Sequence, residues 1–152
     1  MNIPMVDLKG QYETLKDEID SGILQALSET RFILGPNVQA FDQEAAEYLG
    51  VRHAISCANG TDALHLALLA AGIQPGDEVI TTAFTFIATA EAIRYIGAIP
   101  VFVDIQSHSL NIDPDRIRAA ITDKTSAILP VHLFGQPADM NEIQALADEF
   151  GL

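Results

Sequence analysis

The sequence is short of cysteine, of positive charge and of long apolar runs, and each shortage closes off a class of function. Its single cysteine, Cys57, cannot form an internal disulfide, which fits a reducing compartment and a cytoplasmic protein. Basic residues number 8 against 21 acidic ones, for a net charge of -13. A surface this negative repels polyphosphate backbones and anionic lipid, so neither a nucleic-acid partner nor a membrane partner is expected. A small phosphorylated ligand stays open, because backbone amides hold phosphate without Lys or Arg. No stretch approaches the roughly 18 apolar residues of a membrane-spanning helix. The start, Met1-Asn2-Ile3-Pro4-Met5-Val6-Asp7, lacks the basic-then-apolar order of a secretory leader. His53, His65 and His108 do not cluster with Cys or acids at ligand spacing, so no metal site is read, and no Ser-His-Asp arrangement can be argued. What is present is 152 residues, 49% hydrophobic, enough for about one packed domain.

Leu8, Tyr12, Leu15, Ile19, Ile23 and Leu27 recur at spacings of three and four, with Lys16, Asp17, Glu18 and Asp20 between them. That is an amphipathic helix. Its apolar face packs either on the chain's own core or, as an arm, on a partner subunit. Gly35-Pro36 breaks the pattern, and a second helix runs from Asn37 with Val38, Phe41, Ala45 and Leu49 on one face and Gly50 just past its end. Residues 1–50 thus read as an amino-terminal helical segment.

From Arg52 onward short apolar runs alternate with helical patterns. Strands are expected at 53–56, 78–82, 100–105 and 126–133, with helices at 61–71, 85–96, 113–121 and 139–150. Val101-Phe102-Val103 and Ala127-Ile128-Leu129 show no polar alternation, as expected for strands buried on both faces. The alternation implies an α/β fold: a mostly parallel sheet flanked by helices. Gly151 should close the last helix, with Leu152 opening a further strand. Four strands stopping where a fifth should start suggest that residues 51–152 are an incomplete domain.

Three strand exits carry candidate chemistry. In Ser56-Cys57-Ala58-Asn59-Gly60-Thr61-Asp62, a strand runs into a helix that begins near Thr61. Its first N–H groups lack intrahelical partners and sit at the positive end of the dipole, so a phosphate fits there. The alternative is an ordinary N-cap by Asn59 or Thr61, with Gly60 only shaping the turn. In Thr82-Ala83-Phe84-Thr85-Phe86, an aromatic ring either stacks on a planar ligand or fills the core beneath the helix. In Pro130-Val131-His132-Leu133-Phe134-Gly135, His132 either meets a ligand or is hydrogen-bonded to backbone. All three exits face one crevice at the carboxyl edge of the sheet. The pattern is neither a Rossmann fingerprint nor a Walker loop. Cys57 reads as a small buried residue, and Arg31 with Phe32 as turn residues rather than a pocket lining.

Taken in order, these segments resemble the DegT/DnrJ/StrS family of nucleotide-sugar aminotransferases, which use pyridoxal 5′-phosphate (PLP) on a fold-type-I scaffold. The resemblance rests on Ile3-Pro4-Met5-Val6-Asp7-Leu8, Ile33-Leu34-Gly35-Pro36, Asn59-Gly60-Thr61-Asp62-Ala63-Leu64 and Pro75-Gly76-Asp77-Glu78-Val79-Ile80. It continues through Thr85-Phe86-Ile87-Ala88-Thr89, Pro100-Val101-Phe102-Val103-Asp104 and Val131-His132-Leu133-Phe134-Gly135. It implies that residues 51–152 are the amino-terminal part of a fold-type-I PLP-binding large domain. It also implies that Gly60, Thr61 and Asp62 hold the PLP phosphate, that Phe86 stacks on the pyridine ring and that His132 lies near the cofactor. The implied reaction transfers an amino group from a donor, usually glutamate, to a keto carbon of a nucleotide-linked sugar, with a UDP- or dTDP-linked 3-keto sugar favoured. The implied assembly is a dimer with active sites at the subunit interface. In the family, the acidic residue for the pyridine nitrogen and the Schiff-base lysine come further on, so no catalytic residue is expected within this segment. A non-catalytic truncated paralogue, kept as a dimerising or ligand-binding module, is the alternative.

Overall fold

The computed structural model describes residues 5–152, in two compact units, Met1–Ser56 and Cys57–Leu152. The Ile3-Pro4 start of the family resemblance lies outside the described residues.

In the first unit, α1 spans Leu8–Glu29 and α2 spans Pro36–Leu49. The Asp7 side chain caps α1 by accepting the Gly10 N–H at 2.9 Å, one of the donors that a helix start leaves without a partner. Pro36 opens α2 where its missing N–H costs nothing, and Gly50 closes it at φ 66°. Gly35 has no substitute at this start, because a Cβ there would lie 2.1 Å from the Arg31 carbonyl oxygen. The expected apolar stripe of α1 forms, and Leu8, Tyr12, Leu15, Ile19, Ile23 and Leu27 all stand exposed. Neither helix contributes a buried residue. Arg31 and Phe32 are exposed between the two helices, and with Thr30 and residues 33–35 they line an open surface groove, where turn residues rather than a pocket lining were expected.

The second unit runs α3 (Gly60–Ala70), β1 (Glu78–Thr82), α4 (Ala88–Tyr95), β2 (Ile99–Val103), α5 (Pro114–Ala120), β3 (Thr125–Ile128), a single 3-10 turn (Leu133–Gly135) and α6 (Met140–Phe150). The sheet has three parallel strands in the order β2-β1-β3. Strand β1 is central, and Val79, Ile80, Thr81 and Thr82 are all buried. Its alternating side chains feed two cores. Val79 packs with Leu68 of α3 and Ala92 and Ile93 of α4. Ile80 packs with Ile117 of α5 and Ile143 and Leu146 of α6. The two helix pairs therefore cover opposite faces, the layering expected of βαβ units. Because each helix runs back against its strand, the starts of α3 and α4 and the chain leaving β3 meet at the carboxyl edge.

Several expectations need correction. Residues 53–56 form no strand: Ile55 is exposed and nothing pairs with the segment among the described residues, so three strands form rather than four. Cys57 is accordingly exposed rather than buried, since no strand carries it into a core. Strand β2 is an edge strand, so Phe102 is exposed where burial on both faces was expected, and so is Ile99, which joins the strand from the expected turn. Pro100, which has no N–H to give a ladder, fits that edge position. Strand β3 is shorter than 126–133 because Pro130 cannot continue the ladder. The last links are the Leu129 N–H to the Ile80 carbonyl (2.8 Å) and the Thr81 hydroxyl to the Leu129 carbonyl (2.8 Å). Helix α4 starts at Ala88, not residue 85, after a turn tied by threonine hydroxyls. The Thr82 hydroxyl accepts the Phe84 N–H at 3.1 Å, and Thr85 and Thr89 hydroxyls pair at 3.0 Å. Gly151 does close the last helix, at φ 72°.

Candidate active site

At the carboxyl edge, α3 presents its amino end. The Asn59 side chain accepts the Asp62 N–H at 2.9 Å, and the Asp62 carboxylate accepts from the Asn59 amide at 3.1 Å. The Asn59 carbonyl takes the Ala63 N–H at 3.0 Å. Asn59 is thus the N-cap, and the cap is reciprocal. The cap satisfies the donors of Asp62 and Ala63. The N–H groups of Gly60 and Thr61, and the Thr61 hydroxyl, have no intramolecular hydrogen bond among the described residues. A Cβ added at Gly60 would meet nothing within 4 Å, so the backbone here is not packed against another part of the unit on that side. Three unused donors on the positive end of an eleven-residue helix suit an oxyanion such as a phosphate.

The β1–α4 turn lies at the same edge. Phe86 is 75% exposed and Phe84 is exposed as well, so neither ring fills the core beneath α4. The threonine hydrogen bonds before α4 fix the turn from which Phe86 projects. A groove opens at the ends of β1 and β2, lined by Thr82, Phe84, Val103 and Asp104 and not by Phe86. An exposed ring at this edge can cover the face of a flat ligand.

His132 follows β3 and is exposed. Its Nδ1 accepts the Ala138 N–H at 3.1 Å, so the backbone bond expected as one alternative is present. Its Nε2 makes no intramolecular bond among the described residues. The surrounding loop depends on a residue that sequence reasoning passed over. Asn111 is buried, and its amide donates to the Gln136 and Pro137 carbonyls at 3.0 Å each while its oxygen accepts the Leu133 N–H at 3.2 Å. The only sequence signal was a lone Asn between Leu110 and Ile112, and its partners lie more than twenty residues away.

Gly60, Thr61 and Asp62, the Phe86 turn and the His132 loop thus share one edge of one sheet. Among the described residues no group of His, Cys, Asp and Glu could hold a metal ion.

The profile of the DegT/DnrJ/EryC1/StrS aminotransferase family matches residues 13–152. The chain is 55% identical over 152 residues to a pleiotropic regulatory protein of Geobacillus stearothermophilus, covering all of this chain and 41% of that protein. It is 54% identical over 150 residues to a UDP-N-acetyl-3-dehydro-alpha-D-glucosamine 3-aminotransferase of Acidithiobacillus ferrooxidans, covering 99% of this chain and 41% of that one. Among solved structures it is similar to S. venezuelae DesV in complex with a ketimine intermediate, with a TM-score of 0.95, 45% identity, and coverage of 99% of this chain and 40% of that chain. The chain spans about two fifths of the length of these relatives. With the profile matching most of its length, the chain belongs to the DegT/DnrJ/EryC1/StrS aminotransferase family.

Proposed function

We propose that residues 51–152 supply the phosphate-binding part of a PLP-dependent enzyme that moves an amino group from an amino-acid donor, glutamate by preference, to a keto carbon of a nucleotide-linked sugar. The observation that carries this reading is the set of three unused donors on Gly60 and Thr61 at the carboxyl edge of a parallel sheet. In this reading the Gly60 and Thr61 N–H groups and the Thr61 hydroxyl hold the cofactor phosphate. Asp62, expected beside them at the phosphate, has its N–H and its carboxylate engaged by Asn59 and is assigned instead to shaping the turn; Phe86 covers the pyridine ring, and His132 offers Nε2 from the β3 loop. PLP, when bound, supplies the electron sink for the donor's α-carbon, and the protein supplies orientation and electrostatics. The 54% identity to a UDP-3-keto-sugar aminotransferase favours a UDP- or dTDP-linked 3-keto sugar as acceptor. The test is to give the full-length protein PLP, glutamate and UDP- or dTDP-linked 3-keto and 4-keto sugars, and to follow 2-oxoglutarate and the amino sugar. Formation of neither product from any of these sugars overturns the reading.

Phe86→Ala should weaken PLP binding about 2- to 10-fold, the equivalent of an aromatic contact of about 0.5–1.5 kcal/mol, and Phe86→Tyr should be nearly silent. Because the ring is exposed, the apo-protein melting temperature should not move. A falling melting temperature with unchanged PLP affinity would assign the ring to packing.

The enzyme works as a cytoplasmic homodimer in this proposal. The exposed stripe on α1 supports a partner surface: it is an apolar helix face that the described chain leaves uncovered. Ile23→Glu should weaken dimerisation at least about 10- to 100-fold, as burying one such side chain contributes about 1.5–3 kcal/mol. Sedimentation of the full-length variant as a dimer of parental affinity would place the interface elsewhere. Among the described residues no helix is long and apolar enough to cross a membrane.

A further inference from the structure

We propose that Asn111 is a positioning residue that fixes the ring orientation and tautomer of His132; its relevance to catalysis rests on the placement of His132 by the cofactor given above. Asn111 is 2% exposed, and both halves of its carboxamide are engaged by a single loop. Its amide donates to the carbonyls of Gln136 and Pro137, and its oxygen accepts from Leu133. Three backbone groups of residues 133–137 therefore converge on one side chain.

The loop needs such an anchor. Beyond one 3-10 turn it has no regular backbone pairing, and Phe134 sits at φ 52°, a left-handed conformation that non-glycine residues avoid. Phe134 is also 89% exposed, so its own side chain does not hold it there. Asn111 replaces the missing ladder, and it does so from the segment before α5.

The consequence reaches His132 through the far end of the loop. Ala138, buried, donates its N–H to His132 Nδ1 at 3.1 Å. A ring nitrogen accepts a hydrogen bond only when it carries no proton, so the neutral ring holds its proton on Nε2. Nε2 is then a donor with no intramolecular partner among the described residues. Without Asn111, residues 133–137 are free to shift, Ala138 loses its register with the ring, and both tautomers become accessible.

The experiment uses the full-length apo protein labelled with ¹⁵N-histidine, with the His132 signals assigned by their loss in His132→Gln. Long-range ¹H–¹⁵N spectra at a pH where the ring is neutral should show the parent with Nδ1 unprotonated. Asn111→Asp keeps the acceptor for Leu133 but sets carboxylate oxygens against two carbonyls; Asn111→Ser removes most of the anchor. In both, the Nδ1 signal should move toward the average of two tautomers, and Ala138 amide exchange should quicken about 10- to 100-fold as its hydrogen bond opens. Folded variants that keep the Nε2–H form and the parental Ala138 exchange rate overturn the proposal. So does a parent spectrum with Nδ1 protonated, whether or not the variants fold. Adding PLP tests the underlying placement separately. If the His132 signals do not respond to the cofactor, His132 is not at the cofactor site, while the tautomer result for Asn111 stands.

Discussion

Residues 1–152 expressed alone, mixed with PLP and reduced with borohydride, are expected to yield no stoichiometric pyridoxyl-lysine and no glutamate-dependent transamination. A lysine that attacks the cofactor carbonyl has to be desolvated, deprotonated and aimed. The three lysines of the chain, Lys9, Lys16 and Lys124, fail on different counts. Lys9 is solvated, its side chain 86% exposed and loosely paired with Glu13 at 3.8 Å. Lys16 is ion-paired with Asp20 and lies 5.5 Å from the centre of the Tyr12 ring. Hydrogen bonds donated to Asp20 first, and to Tyr12 second, push its pKa above the ordinary lysine value, which favours the protonated, non-nucleophilic form. Lys124 is exposed, and its carbonyl accepts the Glu78 N–H at 2.9 Å, which places it at the amino edge of β1. The donors of Gly60 and Thr61 are at the carboxyl edge. Five residues of β1 at about 3.3 Å each separate the two edges by about 16 Å, well beyond a lysine side chain. Mass spectrometry of the reduced digest reads the result. Stoichiometric labelling of any one of these lysines, together with transamination, would refute the view that the reacting lysine lies further along the full-length protein.

The parts of this fold that periodicity and end signals specify were legible in advance. The α1 stripe, a second helix opening at the Gly35-Pro36 break (expected from Asn37, found from Pro36) and stopping at Gly50, the strand at 78–82 and the order of helices between strands all follow from apolar spacing and caps. What escaped was decided by partners distant in sequence. Residues 53–56 have the composition of a strand, yet a strand exists only by pairing. Val101-Phe102-Val103 reads as buried on both faces, but β2 lies at the edge, and only the strand order says so. The late start of α4 goes with the Thr82 hydroxyl taking the Phe84 N–H and the Thr85 hydroxyl pairing with that of Thr89, local effects that the helical period conceals. At the site, the Gly60-Thr61 donors were readable because helix starts have fixed chemistry. The exposure of Phe86 was not, since an aromatic in a turn is equally at home in a core. Asn111 was invisible for a third reason: one buried polar residue gains its meaning only from the loop folded over it.

Gly60→Ala and Thr61→Ala in the full-length protein together separate a phosphate site from an ordinary helix cap. The cap is made by Asn59 with Asp62 and Ala63, and neither substitution touches those bonds. A methyl at Gly60 would meet nothing within 4 Å, and the residue does not adopt a positive φ. The apo protein should therefore keep its stability or gain slightly, since alanine is the better helix former. If the phosphate sits on the Gly60 and Thr61 N–H groups, its oxygens come within about 3 Å of this backbone, and an added methyl should crowd that approach. Thr61→Ala removes the third donor; hydrogen bonds to charged groups contribute about 1.5–3 kcal/mol, which is roughly a 10- to 150-fold loss of cofactor affinity. Gly60→Ala should weaken binding as well, by crowding a phosphate held against this stretch of backbone. PLP titration of the apoproteins, paired with thermal melts, reads both quantities. Melting temperatures held constant while affinity falls in both variants is the expected pattern. Parental affinity in Gly60→Ala would mean that the phosphate does not sit against this backbone, and the donors at this helix start would then be no more than solvated ends.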